Sequence, residues 1–507
     1  MSLNLTPLLT GAVRRHGDRI ALRINERAWS YAELDQDSNR LAACLRAHGV
    51  AKGDAVALLI RNRAEYVIAD LAILKLAAVK VPLNELMSGD EAAYCLEHSG
   101  ARLLIAEADL AANAVPNGGT LQHRLTLDAE GPLCWSDAMA CPDAPIATEC
   151  SADDPALIMY TGGTTGHPKG VLHLQGGLGA CLLAHVICAE VARDEVMMLA
   201  SPLPHSAGFL LQACLLQGGA TVLVGKFDAA AFLATAAATG ATWTFAVPTM
   251  LYRLFDAVTP GAAHPFRTIV YGAAPMGRER LLAGKALFGD VFVQLYGQSE
   301  SPNFITSLSK DDHRDPELLG SCGRAVPFAE LRICDEAGVE QPEGTVGEVR
   351  ARTPYVMRGY AGDPEATALA LDDGWLRTGD LGRLDANGYL FLVDRAKDMI
   401  ISGGFNIYSV EVEAALRGHP AVADVAVVGL PDEDWGERVV AVVVRARPVE
   451  AEELRSFGRA ALTAYKAPKT VTFVEALPLT KFGKIDKKRL RAMLTAPAPC
   501  APLPVLA

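Results

Sequence analysis

The sequence predicts an α/β protein: a large N-terminal region of strands covered by helices, a small barrel-like subdomain, and a small α+β domain at the C-terminal end. Three observations predict it. Short apolar runs alternate with amphipathic ones as far as residue 295, the pattern of parallel strands packed on both faces. From Ala329 the runs shorten and are punctuated by Gly and Asp, as in antiparallel or barrel-like structure. Beyond the charge cluster Asp394-Arg395-Ala396-Lys397-Asp398 a smaller mixed unit follows. At 507 residues the chain also exceeds what one hydrophobic core serves.

In order, Ser30-Tyr31-Ala32-Glu33-Leu34 opens a helix with Leu34, Leu41 and Leu45 on one face. Gly49 ends it, and a strand at 55–60 precedes a helix at 64–77, a strand at 79–83, a helix after Asp90 and a strand at 102–106. Residues 113–150 are rich in Pro, Gly, Asp and Cys and read as irregular. Strands are then expected at 196–201, 220–224, 243–247, 268–271 and 291–295, with helices at 205–216 and 229–239. Two of these strands end in glycine-containing turns, Gly272-Ala273-Ala274-Pro275 and Tyr296-Gly297-Gln298-Ser299-Glu300. Ligands of open α/β sheets bind beyond such strand ends. The last unit reads as a helix at 409–417, strands at 422–430 and 439–445, and a helix at 451–465. This divides the chain into 1–394, a connector at 395–398, a domain at 399–494 and a Pro/Ala-rich tail at 495–507, expected to be disordered.

Composition excludes several classes. The formal net charge of −12 disfavours a nucleic-acid partner. No apolar run is long enough for a transmembrane segment, since the richest, 178–192, is broken by His185 and Glu190. The first residues lack the basic-then-apolar pattern of a secretory signal. Eleven scattered cysteines without a C-x-x-C pair read as reduced, buried thiols of a cytoplasmic protein. His167 and His173 lack metal-ligand spacing.

The most distinctive stretch is 160–171, Y-T-G-G-T-T-G-H-P-K-G-V. Gly162, Gly163, Gly166 and Gly170 allow the backbone to approach an anion, and Thr161, Thr164, Thr165 and Lys169 supply the donors that phosphate oxygens require. It is not a Walker A loop, because Pro168 separates the lysine from the glycine. A polar surface loop is the plain alternative. The apolar residues on both sides predict a hairpin with this loop at its tip.

Other segments fall in a recognisable order with it: 74–84 (LKLAAVKVPLN), 296–300 (YGQSE), 347–360, 375–380 (WLRTGD), 394–397 (DRAK), 402–413 (SGGFNIYSVEVE) and 478–485 (PLTKFGKI). Over nearly its whole length the chain resembles the adenylate-forming, AMP-binding superfamily of acyl- and aryl-CoA synthetases, peptide-synthetase adenylation domains and luciferases. The resemblance implies stacked α/β sheets in the large domain and a mobile lid domain at the C-terminal end. It implies attack of a carboxylate on the α-phosphorus of ATP, release of pyrophosphate, and transfer of the acyl group to coenzyme A.

By the same resemblance Thr161, Gly162, Gly163, Thr164, Thr165, Gly166 and Lys169 hold the ATP phosphates, and Glu300 and Thr165 hold Mg2+. Gly272, Ala273, Ala274, Tyr296, Gly297, Gln298 and Ser299 surround the nucleotide, Asp380 grips both ribose hydroxyls, and Arg395 contacts ribose or phosphate. Lys484, in Gly483-Lys484-Ile485, is implied as the catalytic lysine, acting with Thr165, Glu300 and His205. Lys397 is the implied hinge, and Gly403 and Gly404 line the path of the CoA arm. Each has a plainer counterpart: a solvated glutamate, a turn aspartate, a surface ion pair, a solvated lysine, a β-turn. The family usually has serine or threonine where this chain has Gly162. Loss of that hydroxyl is worth about 1.5–3 kcal/mol of phosphate binding.

His205, Ala207, Gly208, Gly272, Ala273 and Gly297 are expected around the acyl group, His205 as a wall between pocket and CoA tunnel rather than an acid or base. The small residues leave room, and nothing nearby matches a second charge on the substrate. The expected substrate is an apolar monocarboxylic acid, fatty, alicyclic or aryl. Loading of a separate carrier protein, oxidation of the adenylate, and a catalytically dead binding module are the competing readings. The acid, the acceptor and homodimer formation stay open.

Overall fold

In the computed structural model, which describes residues 3–114, 120–161, 168–402, 405–432, 434–463, 465–480 and 485–495, paired hydrogen bonds start two of the early helices. Ser30 accepts the Glu33 N–H while the Glu33 carboxylate takes the Ser30 N–H, and Ser88 and Glu91 repeat the arrangement. Each pair satisfies donors that a helix N-terminus leaves open. The helix Tyr31–Ala47 then buries Leu34, Leu41 and Leu45. The helix Ala64–Lys75 is buried along nearly its whole length and carries an ammonium inward with it. Lys75 Nζ is ringed by Asp35 O at 2.8 Å and by Asp35 Oδ1, Ser38 Oγ and Asn39 Oδ1 at 2.7 Å. Those four oxygens offset the cost of taking the charge out of water.

The chain forms two compact units, 1–332 with 350–378 and 384–391, and 333–349 with 379–383 and 392–507. In the first, seven strands run in the order Gly359–Tyr360, Lys169–Leu174, Pro155–Thr161, Val79–Pro82, Ala55–Leu59, Leu103–Ala106, His123–Thr126. Nine others run Arg324–Ala325, Ser301–Leu308, Phe292–Gln298, Thr268–Gly272, Trp243–Ala246, Val196–Leu199, Ala220–Leu223, Ile20–Ile24, Arg27–Ser30. The central pairings of both sheets are parallel, as the alternation predicts. Antiparallel strands occur toward the margins.

Side-chain alternation stacks the two sheets. Leu58, Ile105 and Leu157 of one sheet and Met197, Leu199, Phe245, Val270 and Val293 of the other share one core. The intervening residues face outward: Ala57, Leu104 and Ile158 pack in a second core, and Met198, Ile269 and Phe292 in a third. A strand buried on both faces reads as a continuous apolar run, which is why these segments are visible in the sequence.

The shorter strands expected beyond Ala329 are Glu330–Cys334, Gly347–Arg352, Trp375–Leu384, Leu371–Asp372 and Leu390–Arg395, which make a five-stranded sheet. The chain passes from one unit to the other within these strands. In the second unit the helix Ser409–Arg417 falls where its apolar spacing puts it. It joins a sheet ordered Phe405–Ile407, Ile400–Ser402, Gly436–Arg445, Val422–Asp432, with Thr470–Val474 also paired to Gly436–Arg445.

Some expectations change. Residues 113–150 are not wholly irregular, because His123–Thr126 adds an edge strand and Trp135–Met139 a short helix. The helix expected to 465 ends at Ala461. The sequence reading omits the helices Leu5–His16 and Lys487–Thr495 and the strand Ser301–Leu308, which follows the Glu300 turn directly. The tail beyond 495 lies outside the described residues. No disulfide joins the described cysteines. Among the described residues no helix is long and apolar enough to cross a membrane.

Candidate active site

The stretch 160–171 is a hairpin, with Pro155–Thr161 antiparallel to Lys169–Leu174 and Thr161 opposite Lys169. Gly162, Gly163, Thr164, Thr165 and Gly166 lie outside the described residues. The second strand pairs with Gly359–Tyr360, which sets Tyr360 opposite Val171. Lys169 Nζ sits 4.9 Å from the centre of the Tyr360 ring. The Tyr360 O–H in turn donates to Glu300 Oε1 at 2.7 Å, and the Met357 N–H donates to the Glu300 carbonyl at 2.7 Å. Burial, and then the Glu300 charge, push the Tyr360 phenol well above its ordinary pKa, so it stays a donor. Three segments far apart in sequence thus converge on one cation, one phenol and one carboxylate.

This donor set fits a hard divalent cation. Glu300 is a carboxylate, the ligand type Mg2+ takes, and Tyr360 orients one of its oxygens. The other expected ligand, Thr165, lies outside the described residues. A separate acidic group among the described residues, Glu107, Asp109 and Asp128, is already charge-matched by Arg61 and Arg63.

The Tyr296–Glu300 turn is held from two sides. His173 Nε2–H donates to the Ser299 carbonyl at 2.8 Å, and burial lowers the ring to about 4, leaving it neutral. Gln298 donates to the Thr378 carbonyl at 2.8 Å. Gly297 sits at a bulge between Tyr296 and Gln298, where a Cβ would meet Asn303 backbone atoms at 2.7 and 2.8 Å. Gly272 is constrained in the same way, since a Cβ there would come 2.4 Å from the Leu295 carbonyl oxygen. Ala273, just after it, is exposed and holds φ at +65°, a left-handed conformation uncommon outside glycine. Ala274 follows, partly exposed.

Instead of one helix at 205–216, the chain makes a kinked turn, Leu203–Ala207, and then the helix Gly208–Gln217. His205 is the kink, with φ −119° and ψ −148°. Its Nε2 lies 2.7 Å from Asn84 Nδ2. Leu203, two residues earlier, donates its N–H to Asn62 Oδ1 at 3.1 Å. Ala207 and Gly208, which follow in the chain, are buried.

In the second unit Asp380 is buried, and Arg395 Nε lies 3.0 Å from its Oδ1. The Ala396 N–H donates to the Gly379 carbonyl at 3.0 Å, and Lys397 follows on an exposed turn. Next to these, Asp394 Oδ2 accepts from Ser409 N–H and Oγ–H, tying the charge cluster to the start of the helix Ser409–Arg417. Lys487 Nζ reaches Glu413 Oε1 at 2.8 Å in the same network. Lys484, Gly403 and Gly404 lie outside the described residues.

Within the first unit the structure gathers Thr161, Lys169, Gln298, Ser299 and Glu300, and within the second Asp380 and Arg395. Tyr360 and Asn84 are missed by sequence reasoning. Tyr360 closes the segment 347–360 and Asn84 the segment 74–84, so the motif ends carried a signal.

The sequence profile described as AMP-binding enzyme matches residues 9–361, and that described as AMP-binding enzyme C-terminal domain matches 411–484. The medium/long-chain-fatty-acid–CoA ligase FadD8 of Mycobacterium tuberculosis is 35% identical, over 96% of this chain and 89% of its own. A feruloyl-CoA synthase of an Amycolatopsis species is 39% identical over 93% and 95%. The solved structure of the amide bond synthetase McbA from Marinactinospora thermotolerans superposes with a TM-score of 0.87 at 34% identity, covering 96% of this chain and 100% of that one.

Proposed function

Because this chain belongs to the AMP-binding enzyme family, we propose that it is an ATP-dependent acid:CoA ligase acting on an apolar monocarboxylic acid. The observation that carries the reading is the convergence of Lys169, Tyr360 and Glu300. A cation and an oriented carboxylate, next in the chain to a sequence rich in glycine and threonine, support a phosphate and Mg2+ site, whereas a surface loop has no need of either. The names of FadD8 and feruloyl-CoA synthase support CoA as acceptor.

In the first half-reaction a carboxylate oxygen of the acid bonds to the α-phosphorus of ATP, and the bond from that phosphorus to the bridging oxygen breaks, releasing pyrophosphate. Lys169 and the threonines of 161–165 bind the phosphates and offset charge as it moves onto the leaving group. Glu300, with Thr165, would hold Mg2+, which when bound neutralises phosphate oxygens. Tyr360 keeps the Glu300 carboxylate aimed. Asp380 accepts from the ribose hydroxyls, Arg395 lies beside it, and Lys484 binds the reacting carboxylate and phosphate oxygens. In the second half-reaction the CoA sulfur bonds to the acyl carbon, its proton passes to solvent, and AMP departs. Gly403 and Gly404 leave room for the CoA arm, and Lys397 is the hinge. His205 separates acyl group from thiol, and Ala207, Gly208, Gly272, Ala273 and Gly297 leave space for an apolar tail.

The test is AMP and thioester formation by the full chain with ATP, Mg2+ and a panel of octanoate, palmitate, benzoate, cyclohexanecarboxylate and cinnamate, with and without CoA. CoA-dependent thioester formation is expected. An adenylate that CoA fails to discharge would move the acceptor to a carrier protein or an amine, and no AMP from any acid would overturn the reading.

A further inference from the structure

We propose that Asp70 and Lys80 are positioning residues for His205, acting through Gln212 and the helix Gly208–Gln217. This rests on the reading above, in which His205 stands between acyl group and thiol, and extends it to what holds that wall in place. Gln212 is 4% exposed, and its Nε2–H donates to Asp70 Oδ2 at 2.8 Å. Lys80 Nζ lies 2.7 Å from the other oxygen, Oδ1, in an ion pair whose side chains are 12% and 8% exposed. The strand Val79–Pro82 and the helices Ala64–Lys75 and Gly208–Gln217 thus meet at one carboxylate.

Stability does not call for this group. Val79 and Val81 pack in the core on the outer side of their sheet, so Lys80 turns toward the core that both sheets share, beside its strand partner Leu157. Ala69 and Leu71, which flank Asp70, and Leu211 and Ala213, which flank Gln212, belong to that same core. Taking two charges out of water there offsets most of their attraction, and apolar side chains of similar volume stabilise as well or better. What a directional contact adds is register. The helix Gly208–Gln217 needs it, because residues 210–215 are all buried and, apart from Gln212, all apolar. A helix apolar on every side has no polar face to fix its rotation about its own axis.

The register of this helix sets that of His205. The Gly208 N–H donates to the His205 carbonyl, and a Cβ at Gly208 would come 2.3 Å from the Leu203 carbonyl oxygen, so the kinked turn and the helix move as one body. One stretch of chain holds that body at both ends: Asn62 and Asn84 take Leu203 and His205, and Asp70 takes Gln212. Loss of the Asp70 bond frees the helix to turn, which draws the His205 ring from Asn84 and opens the wall to water. The water oxygen then bonds to the acyl carbon of the adenylate, the bond from that carbon to the phosphate oxygen breaks, and acid, AMP and a proton are released without thioester.

The test counts thioester formed per AMP released at saturating CoA, with whichever acid of the panel above the wild type turns over fastest. ATP–pyrophosphate exchange and thermal melting are measured alongside. Two variants of the full chain are read: Gln212→Leu, and the triple variant Asp70→Leu, Lys80→Met, Gln212→Leu, which makes the whole group apolar. The wild type should give close to one thioester per AMP. In both variants that ratio should fall about fivefold, the scale of one lost hydrogen bond, while exchange stays within about twofold. The triple variant should melt near the wild-type temperature, since apolar replacement of a buried ion pair costs little stability. An unchanged ratio in a folded variant would overturn the proposal. So would thioester and exchange falling together in step with a lower melting temperature, the mark of a purely structural role. If the triple variant does not fold, Gln212→Leu decides on the same terms. No AMP from the wild type with any acid fails the ligase reading itself; wild-type turnover with unchanged coupling in the variants fails only the positioning role.

Discussion

Asn84 donates to His205, and a third group sets the direction of that bond. Asn84 Oδ1 already accepts the Leu86 N–H at 2.8 Å, so the amide turns its NH2 toward His205 Nε2 at 2.7 Å. A nitrogen that accepts carries no proton, which assigns the ring proton of neutral His205 to Nδ1. With Nε2 engaged, the ring is oriented as a wall would be.

Asn84→Ala removes that orientation. Thioester formation should fall roughly tenfold, the scale of one lost hydrogen bond of about 1 kcal/mol or slightly more, while ATP–pyrophosphate exchange changes less. Separate assay of the two half-reactions decides it. Equal losses in both would mean that Asn84 supports the fold rather than the ring.

Tyr360→Phe deletes the donor to Glu300 and leaves the ring beneath Lys169. A hydrogen bond to a charged group is worth about 1.5–3 kcal/mol, so kcat/KM for ATP should drop roughly 10- to 150-fold. Raised Mg2+ should recover part of the loss. A variant with unchanged Mg2+ dependence would show that Tyr360 does not orient the metal-binding carboxylate.

Gly297→Ala introduces a Cβ within 2.8 Å of Asn303 and Ser301 backbone atoms, none of which can rotate away. The strand pair must shift, at a cost of about 1–3 kcal/mol. Chemical denaturation should show that loss, with activity impaired beyond it because Glu300 rides on the same turn.

Lys484→Ala should abolish adenylate formation yet spare thioester formation from supplied acyl-adenylate. Near-normal pyrophosphate exchange in this variant would remove Lys484 from the catalytic assignment.

His173 and His185 are both neutral in the fold, with pKa values lowered by burial to about 4. In the unfolded chain the same rings titrate near 6.5, so between the two values the unfolded state binds more protons. Their contribution to stability is complete above about pH 6.5 and is lost as the pH falls toward about 4, on the order of a few kcal/mol each. Urea midpoints at pH 7.5, 5.5 and 4.5 should fall in that order. His173→Gln, which keeps a donor for the Ser299 carbonyl, should flatten the slope.

The sequence by itself determined the parts of this protein that depend on local pattern. Strands such as Ala55–Leu59 and Trp243–Ala246 are apolar at every position because both faces are covered, and the helix Ser409–Arg417 shows its spacing directly. The order of motifs from the 160–171 stretch onward was also legible, and with it the family. Local pattern does not report which distant segments meet. Tyr360 became part of the site only because its strand pairs with Lys169–Leu174, nearly two hundred positions earlier in the chain. Likewise, no sequence rule orients the Asn84 amide toward His205. Its hydrogens point where they do because the Leu86 N–H holds the amide oxygen and the folded chain brings His205 within reach. Hydrogen bonds are short-ranged and directional, so the donor and acceptor pattern of the site was decided by tertiary structure, while burial and periodicity had already written the framework that carries it.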